Sequence, residues 1–330
     1  MNHSFKALQI IESADKQYTR AIVQRAIADL PVGDVLIKVH YSALNYKDAL
    51  SSIGNKGVTK QFPHTPGIDA AGIVAASDSP AFKVDDEVIV TSYDLGMNTS
   101  GGLAEYISVP AKWIVKLPTG LSLKEAMIHG TAGLTAGLCV NALINHGLKP
   151  EQGKVLVTGS TGGVGTLSIA ILAKLGFEVV AVTGKPEAVE FLKQIGVSEI
   201  VSREALDDQS SRPLLKSIYT GVIDTVGGNI LATALKSLTY GGSAAICGLV
   251  ASAELHTTVL PFILRGNTLF GIDSAECPMS LRESIWQKLA SDWKPTDLTI
   301  LAKEITLEEV PAQLDLMLQG KAFGKTIVKL

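Results

Sequence analysis

Thr158-Gly159-Ser160-Thr161-Gly162-Gly163-Val164-Gly165 follows the apolar run at Lys154-Val155-Leu156-Val157 and opens a helical pattern over Thr166 to Leu175. Glycine at these places permits positive φ, lets a backbone approach a pyrophosphate and lets a helix pack closely on a strand. The helix amino terminus adds N–H groups and the positive end of a dipole. Strand, turn and helix in this order make Ser160, Thr161, Gly162, Gly163, Val164 and Gly165 candidates for holding a dinucleotide. About 20 residues further on, an acid at the end of the next strand would grip the ribose 2′-OH of NAD. Thr183-Gly184-Lys185 stands there instead. A cation beside a hydroxyl suits a 2′-phosphate, so the expected cofactor is NADPH, with Arg203 after the following strand as a candidate second phosphate ligand. The alternative, that Lys185 and Arg203 are ordinary solvated charges, stays open.

The elements that must position this turn change in texture along the chain. The first 125 residues read as short strands cut by Gly and Pro: Val35 to His40 alternates, Ala71 to Val74 is apolar, and Glu87 to Val90 follows an acidic turn. From Lys124 a helical stretch reaches about Ile144, and strands then alternate with helices: Glu178 to Val182, Ile200-Val201, Val222 to Thr225, Ala244 to Cys247 and Thr268 to Gly271. Strands joined through helices need crossover connections, which predicts a doubly wound parallel α/β sheet of Rossmann type. Helices are expected near Met279 to Ala290 and Leu307 to Gln319. A last strand, Lys325 to Lys329, is expected to rejoin the first domain and place both termini there. The predicted domains are 1–126 with 270–330, and 127–269.

Length and composition agree with two domains: 330 residues, 46% hydrophobic and 18% charged, with 31 Gly. The net charge of −3 gives no global bias toward nucleic acid. Cys139, Cys247 and Cys277 are odd in number and far apart, without metal-ligand spacing, which points to a reducing compartment rather than a disulfide framework. The amino terminus lacks a signal-peptide h-region, and no run of about 18 uninterrupted apolar residues could span a bilayer. The expectation is a cytoplasmic protein with neither nucleic acid nor membrane as partner.

Pro66 to Gly72, Val84 to Val88, Gly101 to Tyr106 and Gly130 to Ala136, set around a mid-chain Rossmann-type domain, resemble the medium-chain dehydrogenase/reductase superfamily over nearly the whole chain. The glycine turn also fits the looser pattern of short-chain dehydrogenases, but it lies mid-chain, and no Tyr is followed four residues later by Lys. The resemblance implies an amino-terminal, mostly β, GroES-like catalytic domain. Zinc alcohol dehydrogenases of that superfamily carry Gly-His-Glu where this chain has Gly67-Ile68-Asp69, and often a four-Cys lobe where Ile89 to Ser100 has no Cys. No metal ligand set is therefore expected.

Ser42 to Leu50, Pro261 to Gly266 and Gly271 to Ser274 are similar to the NADPH-dependent acryloyl-CoA reductases of the quinone-oxidoreductase-like branch. That resemblance implies reduction of acryloyl-CoA to propanoyl-CoA by a homodimer. It also implies that Tyr46, Ser160 to Gly165, Thr183, Gly184, Lys185, Arg203, Leu249, Ile263 and Ser274 line NADPH. Tyr46 is the candidate for holding the nicotinamide and directing a proton to the substrate α-carbon, a task water could also perform. Asn45 joins it as a catalytic candidate, although Asn45 and Asp48 also fit a purely loop-shaping role. Thr131, the third catalytic candidate, suits either a helix N-cap or a cofactor contact. An NADPH:quinone oxidoreductase and a non-catalytic NADPH-binding protein are the alternatives.

Overall fold

The computed structural model describes residues 4–330. Its first stretch is a β1 (Ser4–Glu12) and β2 (Tyr18–Ala26) hairpin, followed by β3 (Val35–Ala43), α1 (Tyr46–Ser52), β4 (Asp69–Ser77), β5 (Glu87–Thr91), β6 (Tyr106–Val109), β7 (Ile114–Lys116) and α2 (Leu123–Asn145). Alternation along β3 turns Val35, Ile37 and Val39 inward, where they meet Val74, Val88, Val90 and Ile107 in an apolar core. Helix α1 escapes sequence reading because it is two turns long, too short for a 3.6-residue period to show. It is nucleated instead by a reciprocal cap in which the Asn45 N–H donates to Asp48 Oδ2 at 2.7 Å.

The second stretch is β8 (Lys154–Val157), α3 (Gly163–Lys174), β9 (Glu178–Val182), α4 (Val189–Gln194), β10 (Val197–Val201), β11 (Tyr219–Asp224), α5 (Gly228–Lys236), β12 (Leu238–Ile246), α6 (Leu260–Arg265) and β13 (Thr268–Gly271). These strands form one six-stranded sheet in the order β10-β9-β8-β11-β12-β13. All of its pairings are parallel. Counted from β8, this is the doubly wound 3-2-1-4-5-6 arrangement, which places loops for a dinucleotide at the carboxyl ends of the strands. Val155, Leu156 and Val157 are fully buried, as a strand covered on both faces requires.

The chain then returns through α7 (Met279–Ala290), β14 (Ala302–Thr306), α8 (Val310–Leu318) and β15 (Lys325–Lys329). β15 pairs antiparallel with β3, completing a seven-stranded sheet with main order β14-β15-β3-β4-β5-β7 and β6 alongside β3.

Two compact units result: the chain up to Thr131 with Ala275–Ala290 and Leu298–Leu330, and Ala132–Ser274 with Ser291–Asp297. The expected boundaries at 126/127 and 269/270 shift for physical reasons. Gly130, at φ 51° and ψ −155°, breaks α2 into two helices, and Thr131 is bound to Asp69 of β4, so the first unit extends to Thr131. At the other end β13 is hydrogen-bonded into the parallel sheet, which carries the second unit to Ser274. Among the described residues α2 is the one helix long and apolar enough to cross a membrane by length and composition, and 78% of its most apolar window is buried inside the protein.

Candidate active site

In the second unit the glycine-rich turn joins β8 to α3. Gly159 has φ +58°, and a Cβ there would lie 2.0 Å from Thr225 Oγ1; a Cβ on Gly165 would lie 2.3 Å from Gly159 O. Only glycine fits either place. Gly162 caps α3 with no side-chain hydrogen bond, so the first turn offers backbone N–H groups and the helix dipole to an anion. Beneath the turn, buried Asp224 at the end of β11 accepts from Thr158 Oγ1 at 2.6 Å and from the Gly227 N–H at 2.7 Å. Burial pushes its carboxyl pKa up, and these donors pull it down.

The segments just after β9 and β10 carry the cations. The Lys185 N–H donates to Thr183 Oγ1 at 3.0 Å, a local turn that fixes the segment. The Arg203 guanidinium lies against Gly184, where a Cβ would meet its Nε at 3.3 Å. Partial burial holds the Lys185 pKa down; Glu187 raises it and the Arg203 charge lowers it further. Two cations close enough to repel each other, one after the second strand and one after the third, make a fitting cradle for a phosphate dianion.

In the first unit, buried Asp48, Asp69 and Lys325 form a polar cluster with partly buried Asn45 and Thr131. Asp69 accepts from Asn45 Nδ2 at 2.7 Å, from the Thr131 N–H at 2.9 Å and from Thr131 Oγ1 at 2.6 Å. Gly130 is required here, because a Cβ would come within 2.4 Å of Asp69 Oδ2. Lys325 Nζ donates to Leu44 O at 3.2 Å and to Asn45 Oδ1 at 3.3 Å. Burial pulls the Lys325 pKa down, while Asp69 and Asp48 oppose that shift. Asp48 Oδ1 accepts from the N–H groups of Gly67 and Ile68. Burial pushes the Asp48 pKa up to about 7, with the Asp69 charge reinforcing the shift and three backbone donors opposing it. A buried pair of carboxyl groups facing one ammonium group is neutral when Asp48 keeps its proton.

Ser92 and Tyr93 follow β5 at φ 62° and 51°, two successive non-glycine residues in the left-handed region. Such strain persists where surroundings over-determine it, and it clusters at functional sites. Ser92 Oγ lies 2.8 Å from Thr131 Oγ1. Since the Thr131 hydroxyl donates to Asp69, Ser92 donates to Thr131. Arg282 of α7 supports the bend, donating to Thr91 O at 2.9 Å and lying over the Tyr93 ring at 4.2 Å.

The structure gathers Asn45 and Thr131 on the Asp69 carboxylate, and Tyr46 opens α1 beside them, 51% exposed at the first position of the helix. Thr131 is a helix start capped by a carboxylate from another strand. Ser160 lies within the turn, and its side chain is engaged by the two strands beside it. Its hydroxyl donates to Val157 O at 2.7 Å and accepts from the Val182 N–H at 2.8 Å, tying β8 to β9. Ser274 Oγ accepts from Thr135 Oγ1 at 2.7 Å. Leu249 and Ile263 are 65% and 69% exposed, the first after β12 and the second on α6. Sequence reasoning missed Asp69, Lys325 and Ser92. Asp69 was visible in the Gly67-Ile68-Asp69 segment, but Lys325 reaches the cluster only through the pairing of β15 with β3.

Residues 31–119 match the family model described as alcohol dehydrogenase GroES-like domain, and residues 163–291 match zinc-binding dehydrogenase. The Bacillus subtilis protein YhfP, which bears a provisional quinone-oxidoreductase name, is 49% identical over 100% of both chains. Its structure with NAD bound superposes with a TM-score of 0.97 over 99% of this chain and 100% of that one. The acrylyl-CoA reductase AcuI of Ruegeria pomeroyi is 42% identical over 98% of both chains. The YhdH oxidoreductase of Salmonella enterica, solved in complex with NADP, is 43% identical with a TM-score of 0.95, covering 98% of this chain and 99% of that one. The chain belongs to the medium-chain dehydrogenase/reductase superfamily of oxidoreductases, in the group that contains the acrylyl-CoA reductases and quinone-oxidoreductase-like proteins.

Proposed function

We propose that this chain reduces the activated C=C of acryloyl-CoA to propanoyl-CoA with NADPH, without zinc. The substrate rests on the likeness over 98% of both chains to the Ruegeria acrylyl-CoA reductase. NADP in the Salmonella relative and the Lys185–Arg203 cradle support the cofactor. NAD in the Bacillus relative makes the discrimination a matter for these cations rather than for the glycine turn. Although one matching family model is described as zinc-binding, the donors it would need are occupied or absent at the positions considered. Ile68 is a buried side chain with no metal-binding atom, and Asp69 is taken up by Asn45 and Thr131. Stoichiometric zinc in the active, purified protein would contradict this reading.

NADPH, when bound, supplies hydride to the β-carbon while the thioester carbonyl accepts charge as an enolate. The protein has to orient the partners and protonate the α-carbon. The Asn45–Asp69–Thr131 bonds hold the Tyr46 segment and the helix start at Thr131 in one arrangement. Tyr46 offers a neutral phenolic donor at its exposed end. Gly162 to Gly165 provide backbone N–H groups for the pyrophosphate, with Thr161, Thr183, Gly184, Leu249, Ile263 and Ser274 as further cofactor-lining residues. The working form is a cytoplasmic homodimer, with a sedimentation mass near twice that of one chain as its check.

A truncated acryloyl thioester carried on N-acetylcysteamine tests the CoA assignment. It should lower kcat as well as raise KM, because remote binding energy is used for alignment. An unchanged kcat/KM would remove CoA from the recognised substrate.

A further inference from the structure

Arg282 of α7 is fully buried. A guanidinium taken out of water is costly unless it is hydrogen-bonded, and this one reaches two separate segments of the chain. Its Nη1 donates to Thr91 O and to Thr91 Oγ1, each at 2.9 Å, and its Nη2 donates to Ala275 O at 3.0 Å. Because the guanidinium fork is planar and rigid, it holds the end of β5 and Ala275 at one separation. The Tyr93 N–H donates to the same Ala275 oxygen at 3.3 Å. The Tyr93 ring lies 4.2 Å from the Arg282 guanidinium carbon and stacks on Trp113 with an interplanar angle of 7°.

Between Thr91 and Tyr93, the Ser92 N–H donates to Ile68 O at 2.7 Å, and the Ser92 hydroxyl reaches Thr131. These contacts over-determine two successive residues at positive φ. Thr131 is the last residue of the first unit before the chain passes into the second, and Ala275 is the first after its return. The bend therefore grips the first unit at both crossings. Thr131 is a catalytic candidate, and Ser274, next to Ala275, is a cofactor-lining one.

We propose that Arg282 is a positioning residue for hydride transfer: by bracing the Thr91–Tyr93 bend it fixes the Thr131 hydroxyl and the Ser274–Ala275 main chain. This rests on the reading of Thr131 and Ser274 as residues that align NADPH. Arg282 acts through the bend alone, so its loss slows the chemical step in chains that are still folded. A misplacement of about 1 Å costs a reaction up to about 10²-fold in rate. Lysine cannot replace it, because a single ammonium lacks the fork that spans Thr91 and Ala275 and the planar face that lies on Tyr93.

The test compares wild type, Arg282→Lys, Tyr93→Ala and Tyr93→Phe in single turnovers with acryloyl-CoA, followed by stopped-flow loss of the reduced-nicotinamide absorbance. Amplitude counts folded, active chains, whereas the rate constant reports the reaction within them. NADPH deuterated at both C4 positions identifies the hydride-transfer phase as the one it slows. Arg282→Lys and Tyr93→Ala should each lower that rate constant by at least about tenfold. Tyr93→Phe, which keeps the ring and loses only the 3.4 Å bond from the hydroxyl to Cys277 O, should stay near wild type. Amide exchange without cofactor should become faster over 128–135 and 272–278 in the two slow variants. A wild-type rate constant with reduced amplitude would overturn the proposal and leave Arg282 a purely structural residue. So would slow turnover with unaltered exchange over both segments. Should Arg282→Lys fail to fold, Tyr93→Ala carries the same two readouts. A wild type that reduces a quinone but not acryloyl-CoA would contradict the substrate reading alone, because the same rate constants are then compared with the quinone.

Discussion

Asp48→Asn changes the pH dependence of stability by an amount the buried cluster sets. In the folded protein the Asp48 carboxyl titrates at about 7, against an unfolded value near 3.8. Between these values the unfolded chain has released the proton and the folded chain has not, so the wild type loses stability as pH rises through the window and levels off above it. From about pH 5 to about pH 8, roughly two units of that window are crossed, corresponding to about 3 kcal/mol. Asparagine does not titrate. Its Oδ1 can still accept from Gly67 and Ile68, but its amide nitrogen faces the Asn45 N–H that Asp48 Oδ2 accepts. That donor–donor contact costs the variant about 1–3 kcal/mol at every pH. Urea unfolding followed by circular dichroism should therefore show the variant less stable near pH 5, with the gap closing or reversing near pH 8. Parallel wild-type and variant curves over this range would refute the claim that Asp48 holds a proton in the cluster.

Lys185→Asp should weaken NADPH binding by roughly ten- to a hundredfold, since a charge-assisted contact contributes about 1.5–3 kcal/mol. NADH should suffer much less, and equal losses in a fluorescence titration would show that Lys185 does not meet the 2′-phosphate. Tyr46→Phe should retain the fold and most NADPH affinity while lowering kcat by about 10²–10⁴-fold, the range of a general acid. A loss below roughly threefold in steady-state assays would reduce Tyr46 to a packing role.

The parallel sheet was legible because its strands are buried on both faces and read as short apolar runs between helical stretches, as at Val155 to Val157 and Val179 to Val182. The glycine turn was legible for a related reason: Gly159 and Gly165 are dictated by local backbone geometry. The first unit hid more. Two-turn α1 depends on the Asn45–Asp48 cap rather than on periodicity, and α2 conceals a break at Gly130 that exists to admit a carboxylate from β4. Lys325 carries no signal in the sequence beyond its place at the start of the last strand, and only the pairing of β15 with β3 brings it to Asn45. Ser160 keeps its place in the motif, but the motif gave no sign that its hydroxyl joins two strands.

NADPH oxidation by the wild-type protein with acryloyl-CoA and with a simple quinone, compared as kcat/KM, decides whether the chain is an NADPH-dependent acryloyl-CoA reductase. The higher value is expected for acryloyl-CoA, with propanoyl-CoA as the product, because the CoA carrier offers remote contacts that align the acyl group. A higher kcat/KM for the quinone would contradict it.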